Sequence, residues 1–305
     1  MRLLSLLLFL SLCFSQEKLF HLMGTYALIE LPEGKEYEAY RYIKSLEEKL
    51  SDYMETSQVS NINQGAGKGC VEISDETLEV IKKSIEISEK TYGFFDISVG
   101  SYTINHKRKG LIDQEKAKAL IDYRNIRIEG NKVCLLKSGM AIDLGGIGKG
   151  YAVQKAYESL KTSWGFISIA GDLRVWGHKR LLAIYNPINN HILAEGINSK
   201  DLCLSTGGNY LRKHILGAKN SLLQATVAHW DCTFTDAIET ALLAMDDDNR
   251  EIFLKENPQI GVLLLFENGT LFVNRAFMEY FESLKLYPTS SLKSSIYLLT
   301  VLSME

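Results

Sequence analysis

Four closely spaced glycines constrain this chain more than any other feature of its sequence. Gly145, Gly146, Gly148 and Gly150 follow a short apolar run at 140–144 and precede apolar residues with helical spacing. The pattern predicts a strand, a glycine turn and a helix. Glycines in such a turn let the backbone approach a phosphate closely, and the helix N-terminus offers free N–H groups and a positive dipole end. The segment therefore predicts a pyrophosphate or nucleotide site.

Two familiar phosphate-binding motifs do not fit this segment. A P-loop needs a glycine, four further residues and then Gly-Lys-Ser/Thr, but Asp143 occupies the first glycine position and Gly150 follows Lys149. The spacing of the dinucleotide-binding fingerprint is absent as well. A tight turn alone would explain one or two glycines, but not four of them flanked by Asp143 and Lys149.

A second segment, TDAIETALLAMD at 235–246, carries hard oxygen ligands. On a helix Asp236 and Thr240 are four residues apart and share a face, with Glu239 three residues after Asp236. A carboxylate and a hydroxyl on one turn suit Mg²⁺ and not zinc. Because an aspartate at a helix start is commonly only a cap or a dipole partner, this motif establishes no metal site by itself.

The rest of the chain predicts a single α+β domain over 16–305. Only four prolines occur, and no repeat or low-complexity linker divides the sequence. Helices are predicted over 37–50, from Ser74 or Asp75 to Gly93, and over 236–245; strands are predicted over 22–31, 166–170, 181–185, 225–230 and 261–266. This irregular mixture of strands and helices indicates α+β rather than a doubly wound sheet. The net charge of −3, without a basic patch, excludes a nucleic-acid binder.

The N-terminus predicts export. Arg2 precedes an apolar stretch that ends at Phe14, too short to span a bilayer but suited to a secretory signal over residues 1–15, cut before Gln16. Cys13 offers a second interpretation, a lipoprotein signal with an acylated cysteine, although Leu12 stands where such signals carry a small residue. The expected location is therefore periplasmic, with attachment to the inner membrane as the alternative.

Four cysteines remain after the predicted cleavage, at positions 70, 134, 203 and 232. An oxidising compartment permits disulfides, yet the sequence contains no CxxC or close pair. Buried free cysteines are an equally good interpretation, so the sequence leaves their state open.

Taken in order, seven segments resemble the FAD:protein FMN transferases, the ApbE family. They are MGTYALIEL, SDYMETSQVSNIN, TYGFFDISVG, AIDLGGIGKGYAV, ISIAGDLRVWG, LSTGGNYLR and TDAIETAL, and they span roughly residues 20 to 245. The resemblance implies a single-domain ApbE-like fold with mixed sheets and packed helices around a flavin cleft. It also implies FAD as substrate, Mg²⁺ as cofactor, and transfer of FMN to a Ser or Thr hydroxyl with release of AMP.

The resemblance further implies a role for individual residues. The FAD contacts would be Met23, Tyr53, Phe94, Phe95, Asp96, Asp143, Lys149 and Leu216. The Mg²⁺ ligands would be the carbonyl of Gly146 and the side chains of Asp236, Glu239 and Thr240. His214 is the candidate general base. The acceptor would be an exported flavoprotein or a subunit of a membrane-bound redox pump, with the motif Asp-x-x-Ser/Thr-Gly-Ala-Ser/Thr.

One segment departs from the family pattern. After His214 the family continues Ile-x-Asp-Pro-x-Thr-Gly, whereas this chain has Gly217 and Ala218 in place of Asp and Pro, and Asn220 and Ser221 in place of Thr and Gly. The altered loop keeps two alternatives open. One is an Mg²⁺-dependent FAD pyrophosphatase, in which water replaces the acceptor hydroxyl. The other is an exported flavin-binding protein without turnover.

Overall fold

A nine-stranded sheet runs through the centre of the computed structural model, which describes residues 17–32, 34–208, 216–217, 221–287 and 296–297. The strands in chain order are β1 (Lys18–Leu22), β2 (Thr25–Glu30), β3 (Cys70–Glu72), β4 (Ile126–Glu129), β5 (Lys132–Leu135), β6 (Gly165–Ile169), β7 (Asp172–Trp176), β8 (Leu181–Asn186), β9 (His191–Asn198), β10 (Leu202–Gly208), β11 (Leu222–His229), β12 (Gly261–Phe266), β13 (Leu271–Val273), β14 (Phe281–Leu286) and β15 (Ile296–Tyr297). The central sheet has the order β1-β2-β6-β7-β10-β11-β12-β13-β15. Neighbouring strands are antiparallel except for the parallel pair β13 and β15.

Helices cover one face of the central sheet. The helices in chain order are α1 (Lys35–Leu50), α2 (Gln58–Gln64), α3 (Asp75–Lys90), α4 (Gln114–Ala119), α5 (Gly148–Leu160), α6 (Cys232–Ala244), α7 (Asp247–Glu256) and α8 (Arg275–Met278). Short 3₁₀ turns occupy Ile97–Val99 and Tyr123–Asn125, and a π-helical segment occupies Ser101–Arg108. Helix α6 packs against α5, β10 and β11, so it lies over the middle of the sheet.

A three-stranded sheet, β14-β9-β8, covers the opposite face, and another, β3-β5-β4, packs beside α2. Strand β12 shows why both faces of the central sheet are covered. Its Val262 and Leu264 belong to the core on the helical side, while Leu263 and Leu265 belong to the core under β8, β9 and β14. A strand with both faces buried reads as an unbroken apolar run, because successive side chains point to opposite faces.

The predicted α+β class is confirmed, and so are the predicted helices α1 and α3 and the strand β12. The single strand predicted over 22–31 is wrong. The chain reverses at Met23 and Gly24, both with positive φ, and forms the β1–β2 hairpin instead. Helix α6 begins at Cys232, four residues earlier than predicted. The Asp231 carboxylate caps it, accepting hydrogen bonds from the N–H groups of Thr233 and Phe234.

Two disulfides join the four cysteines that the sequence left unassigned. Cys70 and Cys134 face each other across β3 and β5, and Cys203 of β10 is bonded to Cys232 at the start of α6. The predicted signal segment, with Cys13, lies outside the described residues. Among the helices that the structure describes, none has the length and apolar character that a membrane span requires.

Candidate active site

The segment before the glycines, residues 139–144, forms no strand, so the strand predicted over 140–144 is wrong. Side chains satisfy its backbone instead. Asn63 accepts from the N–H of Ile142 (2.7 Å) and donates to its carbonyl (3.0 Å), and Ser101 Oγ accepts from the N–H of Ala141 (3.1 Å). Asn105 donates to the carbonyl of Gly139 (2.9 Å). The apolar composition of the run therefore reflects burial, not strand pairing.

Near the end of this run lies Asp143, whose carboxylate is held on both sides. Thr103 Oγ1, in the π-helical segment, donates to Oδ2 (2.6 Å), and the N–H of Gly145 donates to Oδ1 (2.8 Å). The Asp143 N–H donates to the carbonyl of Ile97 (2.8 Å). A π-helical segment inside a fold frequently marks a functional site, and here it supplies a hydroxyl that orients Asp143.

Tyr53 and Met23, two of the predicted FAD contacts, lie beside the glycine segment. Burial and the negative charge of Asp143 together raise the pKa of Asp52, and Arg108 bonds to Asp52 while it stacks on the Tyr53 ring at 4.0 Å. The Tyr53 side chain is 79% exposed. Met23, at the β1–β2 turn, reaches the same segment, because its terminal methyl would lie 3.6 Å from a Cβ built on Gly148.

Helix α5 starts in a cluster of buried carboxylates. Lys149 Nζ lies 2.9 Å from Asp172 Oδ2 and 3.5 Å from Asp236 Oδ1. The N–H of Gly150 donates to Asp236 Oδ2 at 2.8 Å, so Asp236 is fixed directly to the first turn of α5. The glycine segment and the acidic helix, 87 residues apart in sequence at Lys149 and Asp236, therefore meet as predicted.

Glu239 and Thr240 continue this cluster along α6. Glu239 Oε1 is buried and has no hydrogen-bond partner among the described residues, and Oε2 receives only a long bond from Thr240 Oγ1 (3.4 Å). Two glycines make room for these side chains. A Cβ on Gly207 would lie 2.1 Å from Glu239 Oε1, and one on Gly146 would lie 2.8 Å from Thr240 Oγ1.

The charges of this cluster do not balance, since one ammonium faces three buried carboxylates. Burial and the charge of Asp172 raise the pKa of Asp236 to about 7, although Lys149 opposes the shift. Burial also raises the pKa of Glu239 well above its usual range, reinforced by Asp236 and Asp172. Burial disfavours the charged form of Lys149, but the negative charges of Asp172 and Asp236 outweigh this effect. The pKa of Lys149 is therefore raised. An unbonded carboxylate oxygen in excess negative charge fits a hard divalent cation.

The aromatic segment after α3 lies next to the glycine segment but has structural partners of its own. Phe95 is 3% exposed and belongs to the core, while Phe94 is half-buried against it. The Asp96 carboxylate accepts from the N–H and hydroxyl of Ser98 and from the N–H of Tyr123. Asp96 thus caps the 3₁₀ turn whose Ile97 carbonyl holds Asp143. Their predicted contact with FAD stays a prediction.

His214, the candidate base, lies outside the described residues. Leu216 is described and half-buried, but 209–215 and 218–220 on either side of it are not, so its predicted flavin contact also stays a prediction.

Asp172 is the cluster member that sequence reasoning missed. It is buried, with its side chain 5% exposed, at the first position of β7. The available signal was a carboxylate next to Gly171 inside the mostly apolar stretch ISIAGDLRVW. A charge in such a strand is rarely buried without a partner, and its partner is Lys149.

The fold and several segments of this chain match known proteins. A family model described as the ApbE family matches residues 23–264. A protein of Vibrio cholerae named FAD:protein FMN transferase is 24% identical over 277 residues, covering 80% of this chain and 81% of that protein. One of Buchnera aphidicola with the same name is 25% identical over 300 residues, covering 82% and 85%.

Solved structures agree in fold. The flavin transferase ApbE from Vibrio cholerae superposes with a TM-score of 0.76 at 21% identity, covering 88% of this chain and 99% of that one. The ApbE protein from Thermotoga maritima superposes with a TM-score of 0.78 at 24% identity, covering 88% and 100%. At these identities the likeness shows a shared fold.

Proposed function

Because the chain belongs to the ApbE family, we propose that it is an FAD:protein FMN transferase that depends on Mg²⁺. The observation that carries this proposal is the cluster of Lys149, Asp172, Asp236 and Glu239 at the start of α5, with one buried Glu239 oxygen unbonded. The curated relatives in Vibrio cholerae and Buchnera aphidicola bear the name of this activity.

The residues that would hold Mg²⁺ are Asp236, Glu239 and Thr240 of α6, with the backbone carbonyl of Gly146. All are oxygen donors, as Mg²⁺ requires. The raised pKa values of Asp236 and Glu239 support this assignment, since a cation between them would remove the repulsion that raises them. Asp172 and Lys149 form the neighbouring ion pair, and Lys149 stays partly exposed, with 27% of its side chain accessible.

The N-terminus of α5 would receive the diphosphate of FAD. This helix has 13 residues and begins within the glycine segment, so its positive dipole end favours an anion there. Met23, Tyr53 and Asp143 would border the bound dinucleotide. The ammonium of Lys149 adds positive charge on the same side.

In the proposed reaction the hydroxyl oxygen of an acceptor Ser or Thr attacks the phosphorus on the riboflavin side of FAD. A new P–O bond to the acceptor forms, the bond to the AMP phosphate breaks, and AMP leaves. Bound Mg²⁺ would neutralise the charge that develops on the phosphate oxygens. The protein's own residues position the groups: the positive end of the α5 dipole orients the diphosphate, and Lys149 stabilises its charge. His214 remains the candidate acceptor of the hydroxyl proton.

The activity is tested by incubating the purified mature protein with FAD, Mg²⁺ and an acceptor domain that carries the Asp-x-x-Ser/Thr-Gly-Ala-Ser/Thr motif. The proposal predicts flavin fluorescence on the denatured acceptor in a gel, and none when the last Ser or Thr of the motif is replaced by Ala. Free FMN and AMP without labelled acceptor would instead show a pyrophosphatase. Bound, unchanged FAD would leave only a flavin-binding protein.

We also propose that the protein is exported to the periplasm. The apolar segment at 1–15 supports this, and so do the two disulfides, which persist in oxidising compartments. The mass of the mature protein from cell fractions tests the proposal. A soluble periplasmic protein beginning at Gln16 supports simple cleavage, whereas a membrane-bound form with an acylated Cys13 supports the lipid anchor. An uncleaved cytoplasmic protein contradicts both.

A further inference from the structure

A second buried cluster, here called the disulfide–arginine node, consists of Gln154, Arg174 and the disulfide between Cys203 and Cys232. Each of its members shares an element with one residue of the carboxylate site, which consists of Lys149, Asp172, Asp236 and Glu239 together with Gly207, the glycine packed against Glu239. The pairs are Lys149 with Gln154 on α5, Asp172 with Arg174 on β7, Gly207 with Cys203 on β10, and Asp236 with Cys232 on α6. The node therefore joins the same four elements that together form the site.

Arg174 stands at the centre of the node. Its Nη1 donates to Gln154 Oε1 (3.0 Å) and to the carbonyl of Trp230 (2.8 Å), and it lies 3.2 Å from Cys203 Sγ. Gln154 Oε1 also accepts from the N–H of Cys232 (3.1 Å). The guanidinium stacks on the Tyr157 ring at 3.6 Å. One arginine thus fixes the chain just before α6, and Gln154 fixes the first residue of that helix.

The node is buried, so its hydrogen bonds are shielded from water. Cys203 and Cys232 are 0% and 1% exposed, and Arg174 is 5% exposed. In the part of the chain that the structure describes, no carboxylate lies within salt-bridge distance of Arg174, so carbonyl, amide and sulfur atoms and an aromatic face compensate its buried charge. Such a group is costly to bury, and removing it would leave the Trp230 carbonyl without this donor.

We propose that the disulfide–arginine node positions the carboxylate site for cation binding, so that the protein reaches full Mg²⁺ affinity only with the Cys203–Cys232 bond formed. The inference rests on the proposed function, because it takes Mg²⁺ to bind at Asp236 and Glu239. The physical reason is that both carboxylates project from α6, whose first residue is tied to β10 and α5 by the node. Residues that support metal ligands commonly set affinity in this way.

The second disulfide provides a matched control. Cys70–Cys134 lies in the β3-β5-β4 sheet, which carries none of the site residues, and it closes a loop of 64 residues against 29 for Cys203–Cys232. In the chain-entropy account the longer loop contributes at least as much stability. Removing either bond should therefore lower the melting temperature, but only one removal should change the site.

The experiment compares wild type with the double variants C203A/C232A and C70A/C134A, each metal-free and titrated with MgCl₂ by calorimetry. We expect the Mg²⁺ dissociation constant to rise on the order of 10- to 100-fold in C203A/C232A and to stay at the wild-type value in C70A/C134A. Excess Mg²⁺ should restore kcat in C203A/C232A, since the ligands themselves remain. Arg174→Met and Gln154→Met repeat the measurement with the disulfide intact, in case the double variant does not fold.

The outcomes separate the two claims. If wild type binds no Mg²⁺, both the proposed metal site and the proposed role of the node are wrong. If wild type binds Mg²⁺ and the node variants bind it equally well, or if C70A/C134A loses affinity to the same extent, only the inference is overturned.

Discussion

Lys149 is in contact with two buried carboxylates, Asp172 and Asp236, and a third, Glu239, lies one turn further along α6. A single ammonium cannot compensate three negative charges at low dielectric, so the metal-free protein holds part of this site in its protonated form. The raised pKa values of Asp236 and Glu239 are the expression of this imbalance. The divalent cation proposed for this site would neutralise the excess negative charge.

Replacing Asp236 by Asn separates folding from metal binding. The amide oxygen of Asn can still accept from the N–H of Gly150, and a desolvated charge is removed. We expect the metal-free variant at pH 8 to melt no lower than wild type. We also expect it to lose the rise in melting temperature that Mg²⁺ gives to wild type, and to lose roughly 100-fold or more in transferase rate. Unchanged turnover would remove Asp236 from the metal site.

The stability of the metal-free protein should depend on pH through Asp236. Its pKa is about 7 when folded against a model value of 3.8, so between these values the folded state binds more protons than the unfolded one. The stabilisation from this proton is present at low pH and is lost as the pH rises through about 7. Urea unfolding in EDTA should therefore show D236N gaining on wild type as the pH rises from about 5 to about 7, by at most about 1.4 kcal/mol per pH unit, and levelling off above that. A constant difference would contradict the raised pKa.

Among the elements, the run 139–144 shows how this fold holds the chain before the glycine turn without a strand. Its backbone depends on side chains from α2 and from the π-helical segment. Periodicity alone could not predict this, because a buried apolar run has the same composition whether a neighbouring strand or an asparagine satisfies its amides. The helix α6 was predicted, but its true start depends on Asp231, whose capping role only the geometry reveals.

Asn63→Ala should destabilise the protein, because it leaves the N–H and carbonyl of buried Ile142 without their partner. We expect a loss of roughly 2–4 kcal/mol in the free energy of unfolding, measured with urea. Asn131→Ala is the control. Asn131 is exposed and its side-chain amide donates to Glu72, so its replacement should cost no more than about 0.5 kcal/mol. Equal losses of stability for the two substitutions would contradict the claim that Asn63 supports the backbone of the run 139–144.

The contact between the glycine turn and α6 is tested by Gly146→Ala. Its Cβ would lie 2.8 Å from Thr240 Oγ1 and 2.9 Å from the Thr240 methyl, so the turn and the helix must move apart. We expect a loss of roughly 10- to 100-fold in Mg²⁺ affinity and a smaller effect on stability. Gly69→Ala, where a Cβ meets nothing within 4 Å, should leave affinity unchanged. Normal Mg²⁺ binding by Gly146→Ala would place the metal elsewhere.

Across the whole molecule, the sequence predicts what local pattern encodes. Helical spacing gives α1 and α3, an unbroken apolar run gives β12, and the α+β class follows from their mixture. The sequence does not predict which residues far apart in the chain come into contact. The meeting of Lys149 with Asp236 was expected only from the family resemblance, Asp172 was missed, and both disulfides were left open because connectivity depends on which strands become neighbours. The β1–β2 hairpin was missed because Gly24 follows a methionine with positive φ, where such turns usually carry Asn or Asp.

The central claim is that the glycine segment and α6 together hold a divalent cation next to the diphosphate of FAD. Crystals soaked with FAD and MnCl₂ test it directly, because Mn²⁺ accepts the same oxygen ligands as Mg²⁺ and scatters anomalously. The account predicts an anomalous peak bounded by the Gly146 carbonyl, Asp236 and Thr240, and the loss of that peak in Asp236→Asn. A peak remote from these residues, or FAD bound with no metal among them, would contradict it.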